Sequence, residues 1–277
     1  MSVRREVRLA ALAVALASVF VLPACAGRER QRVVYEERPV ELLYATGARR
    51  LDQRRWQDAI DYFEEVERQH PYSEWSRRAI LMTLYASYES SKYDEAIAAA
   101  DRFIQLYPGN PQVPYAYYMR AVSYYEQIAD VGRDQAATAQ AQRALREVIS
   151  RFPDSEYAAD SRLKLDAVND QLAGKEMSVG RWYLRQNQPL AAISRFKAVI
   201  DKYQTTTHTP EALYRLVEAY LTLGLVEEAK RNGAVLGHNF SGEVWYADAY
   251  ALLSERGAQP EIQPKQRRNL LGRLTPW

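Results

Sequence analysis

One short phrase recurs along this chain, and it restricts the fold more than any other feature. Trp56-Gln57-Asp58-Ala59-Ile60 is followed by Phe63, Val66 and Pro71, and Tyr93-Asp94-Glu95-Ala96-Ile97 by Ala100, Phe103 and Pro108. A third copy keeps Ala141, Leu145, Val148 and Pro153; a fourth runs Pro189-Leu190-Ala191-Ala192-Ile193, then Phe196 and Val199; a fifth is Val226-Glu227-Glu228-Ala229. In the first three copies the alanine and the proline stand 12 residues apart. Such self-similarity marks units that cannot bury their apolar faces alone and do so by stacking on one another. Ala59, Phe63 and Val66 fall at i, i+4 and i+7, one stripe of a helix. The alanine must be small because a neighbouring helix passes close to it. The proline lacks the N–H that would continue the helix.

Ahead of each phrase lies a second amphipathic segment, near 40–54, 77–90, 114–128, 157–187 and 210–223. Gly47, Gly180 and Gly224 fall where the helices of a pair cross or turn. The pattern of paired helices with small, aromatic and proline positions resembles the tetratricopeptide repeat. It implies an all-α, right-handed helical solenoid of about five such pairs, with a short C-terminal helix over 244–255 as a cap. Repeats 1–3 occupy 40–153 and repeats 4–5 occupy 154–243, starting near Val40, Arg77, Pro114, Glu156 and Pro210. The third repeat carries extra residues around Asp130-Val131-Gly132-Arg133-Asp134. The fourth is longer still, which extends its first helix unless that helix breaks near Gly174, a residue that costs about 1 kcal/mol in a helix.

The first 24 residues read as a targeting segment. Arg4, Arg5 and Arg8 precede an apolar run from Leu9 to Leu22, too short for a membrane span of about 20 residues and suited to a signal peptide. Leu22-Pro23-Ala24-Cys25 resembles the lipobox of bacterial lipoproteins, although Pro23 stands where that pattern usually has a small residue. On that reading Cys25, the chain's single cysteine, is lipidated and begins the mature protein, anchored in a membrane. The other reading is an ordinary signal peptide with an incidental thiol. Ala26 follows the cysteine; an aspartate there commonly signals inner-membrane retention, so its absence favours the outer membrane. Residues 25–39 then form a charged tether.

Charge and chemistry exclude several classes. The net charge is +2, but positive excess sits in the N-terminal segment and in the tail from 256 to 277, leaving the body acidic. Nucleic acid is therefore not an expected partner. The tail, with three prolines, is expected to be disordered alone and to serve membrane or partner contact. One cysteine and three scattered histidines give no metal site, and no cofactor is expected. Ser161–Lys164 and Ser194–Lys197 have the spacing of a serine nucleophile and its lysine base, but lie on repeat helices without the motifs that would accompany them. No enzymatic activity is expected.

Tyrosine is abundant, at 20 residues. Lining positions of the first helices carry Tyr44 and Leu51 in repeat 1, Leu81, Tyr85 and Tyr88 in repeat 2, and Tyr115, Tyr118, Val122 and Tyr125 in repeat 3. A tyrosine presents a large ring and keeps a hydroxyl for hydrogen bonding, which suits a wet recognition groove. These residues are either a peptide groove or part of the repeat core.

Leu43-Tyr44-Ala45-Thr46-Gly47, Asp101-Arg102-Phe103-Ile104-Gln105-Leu106-Tyr107-Pro108 and Tyr118-Met119-Arg120-Ala121 resemble the BamD (YfiO/ComL) family, lipoprotein subunits of the outer-membrane β-barrel assembly machinery. The resemblance spans roughly 25–255. It implies a lipid-anchored scaffold on the periplasmic face of the outer membrane of a Gram-negative bacterium. Its N-terminal repeats would receive unfolded outer-membrane proteins through an aromatic-ended signal. Its C-terminal repeats would dock on a BamA-like barrel subunit beside other lipoproteins of the complex, with Arg195 at the position of a family arginine that makes this contact. The alternatives are a pilus-secretion pilotin or a peptidoglycan-coordinating scaffold of the same repeat type.

Overall fold

The computed structural model describes residues 38–128 and 136–258. The signal segment, Cys25 and most of its tether, the extra residues 130–134 and the chain from 259 onward lie outside the described residues. Among the described residues there are eleven helices and no strands. They pair as α1 (Val40–Asp52) with α2 (Trp56–Gln69), α3 (Glu74–Glu89) with α4 (Tyr93–Leu106), and α5 (Val113–Glu126) with α6 (Ala136–Arg151). Next come α7 (Glu156–Arg185) with α8 (Pro189–Lys202), α9 (Thr209–Thr222) with α10 (Val226–Phe240), and the closing α11 (Val244–Glu255). Each helix packs on the next in sequence, and first helices also pack on one another, α1 on α3, α3 on α5, α5 on α7 and α9 on α11. Arg181 of α7 bridges to Glu211 of α9 at 2.9 Å. The result is a helical solenoid.

Size complementarity within each pair explains the recurring phrase. Ala59, Ala96, Ala141, Ala192 and Ala229 are all fully buried. A side chain at Gly47 would stand 2.8 Å from the Phe63 ring, and one at Gly180 would stand 2.4 Å from Phe196. The partners are sixteen residues apart. At the same two positions repeat 2 has Leu84 and Ala100, both buried, and repeat 5 has Val217 and Gly233. One member is large and the other small in each pair, so the helices keep one spacing while the sequence varies.

The turns repeat as well. Arg54, Ser91, Asn187, Gly224 and Gly257 follow first helices with positive φ. The next residue's N–H returns to the last turn of the helix at 2.9 Å each time: Arg55 to Arg50, Lys92 to Ser87, Gln188 to Tyr183, Leu225 to Tyr220 and Ala258 to Leu253. This is the Schellman arrangement, which satisfies carbonyls the helix leaves free. The expected tail from 256 to 277 lies outside the described residues except for its first three. Residues 256–258 cap α11, and Ala258 is buried in the last core, so the tail proper begins after 258.

The 30-residue α7 runs unbroken through Gly174. Val168 belongs to the core of α3 to α6, whereas Ala173 and Met177 belong to the core shared with α8 and α9. One beam thus serves two cores. Near the changeover the α8–α9 loop sits on it. Thr207 donates to Asp170 through its N–H at 3.0 Å and its hydroxyl at 2.7 Å, and a side chain at Gly174 would stand 3.1 Å from His208 Nε2.

Candidate functional site

Because α3, α5 and α7 pack side by side, their outward positions meet. Tyr85 and Tyr88 come from α3, Tyr115, Tyr118 and Tyr125 from α5, and Tyr157 from α7. All are half-buried. Apart from Tyr85, each rests on the core beneath. Tyr118 stacks on Tyr157 at 5.1 Å between ring centres, and Tyr115 lies 6.0 Å from Tyr157. The Tyr118 hydroxyl donates to Asp160 at 2.7 Å, and the Tyr88 hydroxyl to Glu126 at 3.5 Å. Lys164 donates to Asp160 at 2.7 Å and stands 5.8 Å from the Tyr125 ring centre. A cleft between α5 and α7 follows, lined by Tyr125, Glu126, Ile128, Ala167 and Gln171.

Four expected lining residues belong elsewhere. Leu81 and Val122 are 8% and 3% exposed; they are core, because their side chains point between helices rather than across the face. Tyr44 packs on Phe63 and Trp75 at 5.4 and 4.9 Å, over the separate core of repeat 1, where Leu51 also sits. Sequence reasoning missed Tyr157, Asp160 and Lys164. Counted from the repeat starts at 156 and 114, they occupy the positions of Tyr115, Tyr118 and Val122, so the repeat register carries the signal.

The electrostatics are one-sided. Burial, then the Glu126 carboxylate, pushes the Tyr88 hydroxyl up to about 12. Burial raises Tyr115 further, with Tyr157, Tyr85 and Glu89 adding to it, and Tyr118 is raised by burial and by its bond to Asp160. Tyr157 rises through burial and Glu156. Burial pushes the Asp160 carboxyl up, but hydrogen bonds from Lys164 and Tyr118 outweigh this and hold it below the ordinary carboxylate value. The raised hydroxyls thus remain protonated donors at neutral pH, with carboxylates beside them.

The other side of α5 is closed. Arg120 bridges Asp101 of α4 and Glu147 of α6 at 2.7 Å each and lies 4.8 Å from the Tyr117 ring centre. Arg151 covers the same ring at 5.2 Å and bonds Glu147. In the C-terminal half, Arg195 on α8 is part-exposed and reaches Glu176 of α7 at 3.2 Å. Ser161 is fully buried, while Lys164 is engaged with Asp160; Ser194 donates back to the Leu190 carbonyl at 3.3 Å. Neither serine–lysine spacing brings the two groups together as a nucleophile and base.

Stacked helix pairs with this packing define a tetratricopeptide-type repeat protein. The outer membrane lipoprotein family YfiO matches residues 36–236, and the chain belongs to it. It is 64% identical over 269 residues to the outer membrane protein assembly factor BamD of Caulobacter vibrioides, covering 95% of this chain and 88% of that one. The proteins of the same name from Rickettsia prowazekii and Neisseria meningitidis serogroup A are 46% and 34% identical, over 78% and 79% of this chain and 86% and 87% of theirs.

Proposed function

We propose that this chain is a lipid-anchored scaffold for assembling outer-membrane proteins; its relatives are named outer membrane protein assembly factors and its family outer membrane lipoproteins. The observation that carries the reading is the tyrosine face of α3, α5 and α7 within a chain that matches the family along both halves of its solenoid. Half-buried rings with outward hydroxyls can hold an extended peptide by apolar contact and by hydrogen bonds to its backbone. A solenoid offers such a peptide one register per repeat. We assign this face to the aromatic-ended segments of unfolded outer-membrane proteins. Cys25 carries the lipid that holds the chain to the periplasmic face of the outer membrane. Arg195, exposed enough for its guanidinium fork to take a partner carboxylate, docks a BamA-like barrel subunit together with the neighbouring C-terminal repeats. The work is binding and placement, with no catalytic step.

Titrating an aromatic-ended peptide against Tyr85→Ala and Tyr118→Ala, with melts in parallel, tests the face. Half-buried rings should cost about 1–2 kcal/mol of stability when removed, less than the roughly 3–5 kcal/mol of a fully buried one. Affinity should drop about tenfold or more. Large unfolding with unchanged affinity in the folded remainder rejects the groove. Separately, Arg195→Glu should keep full helicity while weakening capture of the barrel subunit by about 2–5 kcal/mol; an undiminished complex removes Arg195 from the contact.

A further inference from the structure

The charge around the tyrosine face asks for a cation. Glu89, Glu126, Glu156 and Asp160 all act on its hydroxyls. Lys164 is the cation seen at this face, and Asp160 already engages it. Elsewhere burial raises a tyrosine hydroxyl and a nearby arginine partly offsets it: Arg78 at Tyr44, Arg146 at Tyr203, Arg215 at Tyr214. Among the described residues no such arginine acts on Tyr88, Tyr115, Tyr118 or Tyr157. Tyrosine faces attract guanidinium groups, and adjoining carboxylates strengthen the attraction. An aromatic surface rimmed by acids is therefore better suited to a basic segment with apolar residues than to a neutral peptide.

The same chain contains such a segment. Residues 259–277 hold Lys265, Arg267, Arg268 and Arg273 against Glu261 alone, interleaved with Leu270, Leu271, Leu274 and Trp277. Ala258, where the described fold ends, is fixed by its bond to Leu253 on α11. From α11 the way back crosses α9 to the C-terminal part of α7, where Arg181 meets Glu211, and then follows α7 toward Asp160 near its start; that stretch of the helix is roughly 35 Å long, and with lateral steps of about 8–10 Å the separation is roughly 45 Å. Nineteen residues reach about 60 Å when extended. We propose that this segment is the resident occupant of the tyrosine face, its arginines over the rings and against Glu126 and Asp160, and that incoming peptides must displace it. The proposal rests on the peptide-binding reading of that face and adds a regulator to it.

A photo-crosslinker placed at Leu271 in the full-length chain tests the contact without any substrate. Crosslinks should map within the same molecule to α3, α5 and the first turns of α7. They should fade at high salt, because screening weakens such contacts, and in an Arg267→Glu, Arg268→Glu, Arg273→Glu variant. That variant should also bind the aromatic-ended peptide about two- to tenfold more tightly at low salt, as an intramolecular competitor at millimolar effective concentration is removed. Crosslinks confined to α9–α11, crosslinks between molecules, or a pattern indifferent to charge reversal overturn the proposal. If crosslinks map to the face but no peptide binds either chain, the resident segment stands and the peptide reading falls. Peptide binding without these crosslinks removes the resident segment and leaves the peptide reading standing.

Discussion

The two sides of α5 carry the same kind of residue in opposite circumstances. Tyr117 faces arginines: Arg120 and Arg151 cover its ring, and Asp101 and Glu147 neutralise Arg120 across α4 and α6. Tyr118, its neighbour in sequence, faces Asp160, with Tyr88 and Tyr115 nearby. On the first side charges are matched and the Arg120 side chain is 17% exposed; that side joins three helices. On the second, the Tyr88 and Tyr118 hydroxyls point at carboxylates and the rings keep an edge to solvent. Tyr117 is 7% exposed and Tyr118 half-buried, so burial and the charge around the ring change together across α5.

The largest test of this contrast is Arg120→Ala. It takes the shared cation from Asp101 and Glu147 and leaves Glu147 with Arg151; removing one partner of a buried pair costs about 3–5 kcal/mol, but these carboxylates are 42% and 33% exposed. Partial exposure brings the expected loss to about 2–4 kcal/mol by urea unfolding. Affinity for peptide in the folded fraction should be unchanged. Weakened peptide binding at full stability would mean that the two sides of α5 are not independent.

Much of the fold was legible because the repeat phrase is a packing constraint. The small residue and its large partner must alternate between helices, so Ala59, Gly47 and Phe63 announce a crossing before any coordinates exist. The turns were less legible. Gly224 signals a left-handed residue and Asn187 is a type that tolerates one, but Arg54 and Ser91 adopt the same conformation, and nothing local in their types announces it. The uninterrupted α7 was also ambiguous, because Gly174 disfavours helix locally while its missing side chain leaves His208 room beside the helix. At the tyrosine face, periodicity identified which residues lie on first helices. It did not separate Leu81 and Val122 from their neighbours, since one helical position faces between helices and the next faces out by a small rotation. Tyr157 and Asp160 were hidden by the irregular length of the third repeat, which blurs the register that would have aligned them.

The smallest expected effect lies in the Tyr118–Asp160–Lys164 link, and pH measures it. Asp160 is held below the ordinary carboxylate value in the folded chain. Its folded-state pKa is therefore depressed, so the link adds stability above the unfolded carboxylate value of about 4 and loses it as pH falls through the lower folded value. Asp160→Asn removes this dependence. The difference in unfolding free energy between the two chains should be constant above about pH 5 and shrink below about pH 4. Its plateau should stay under about 1 kcal/mol, because the Asp160 side chain is 41% exposed and exposed pairs are screened. Tyr118→Phe removes one of the two donors and should move the decline toward the ordinary carboxylate value. A difference flat from neutral to acid pH would show that the link contributes nothing in solution. A small pH-dependent one fits a face whose carboxylates are weakly committed and can exchange Tyr118 and Lys164 for the groups of a ligand.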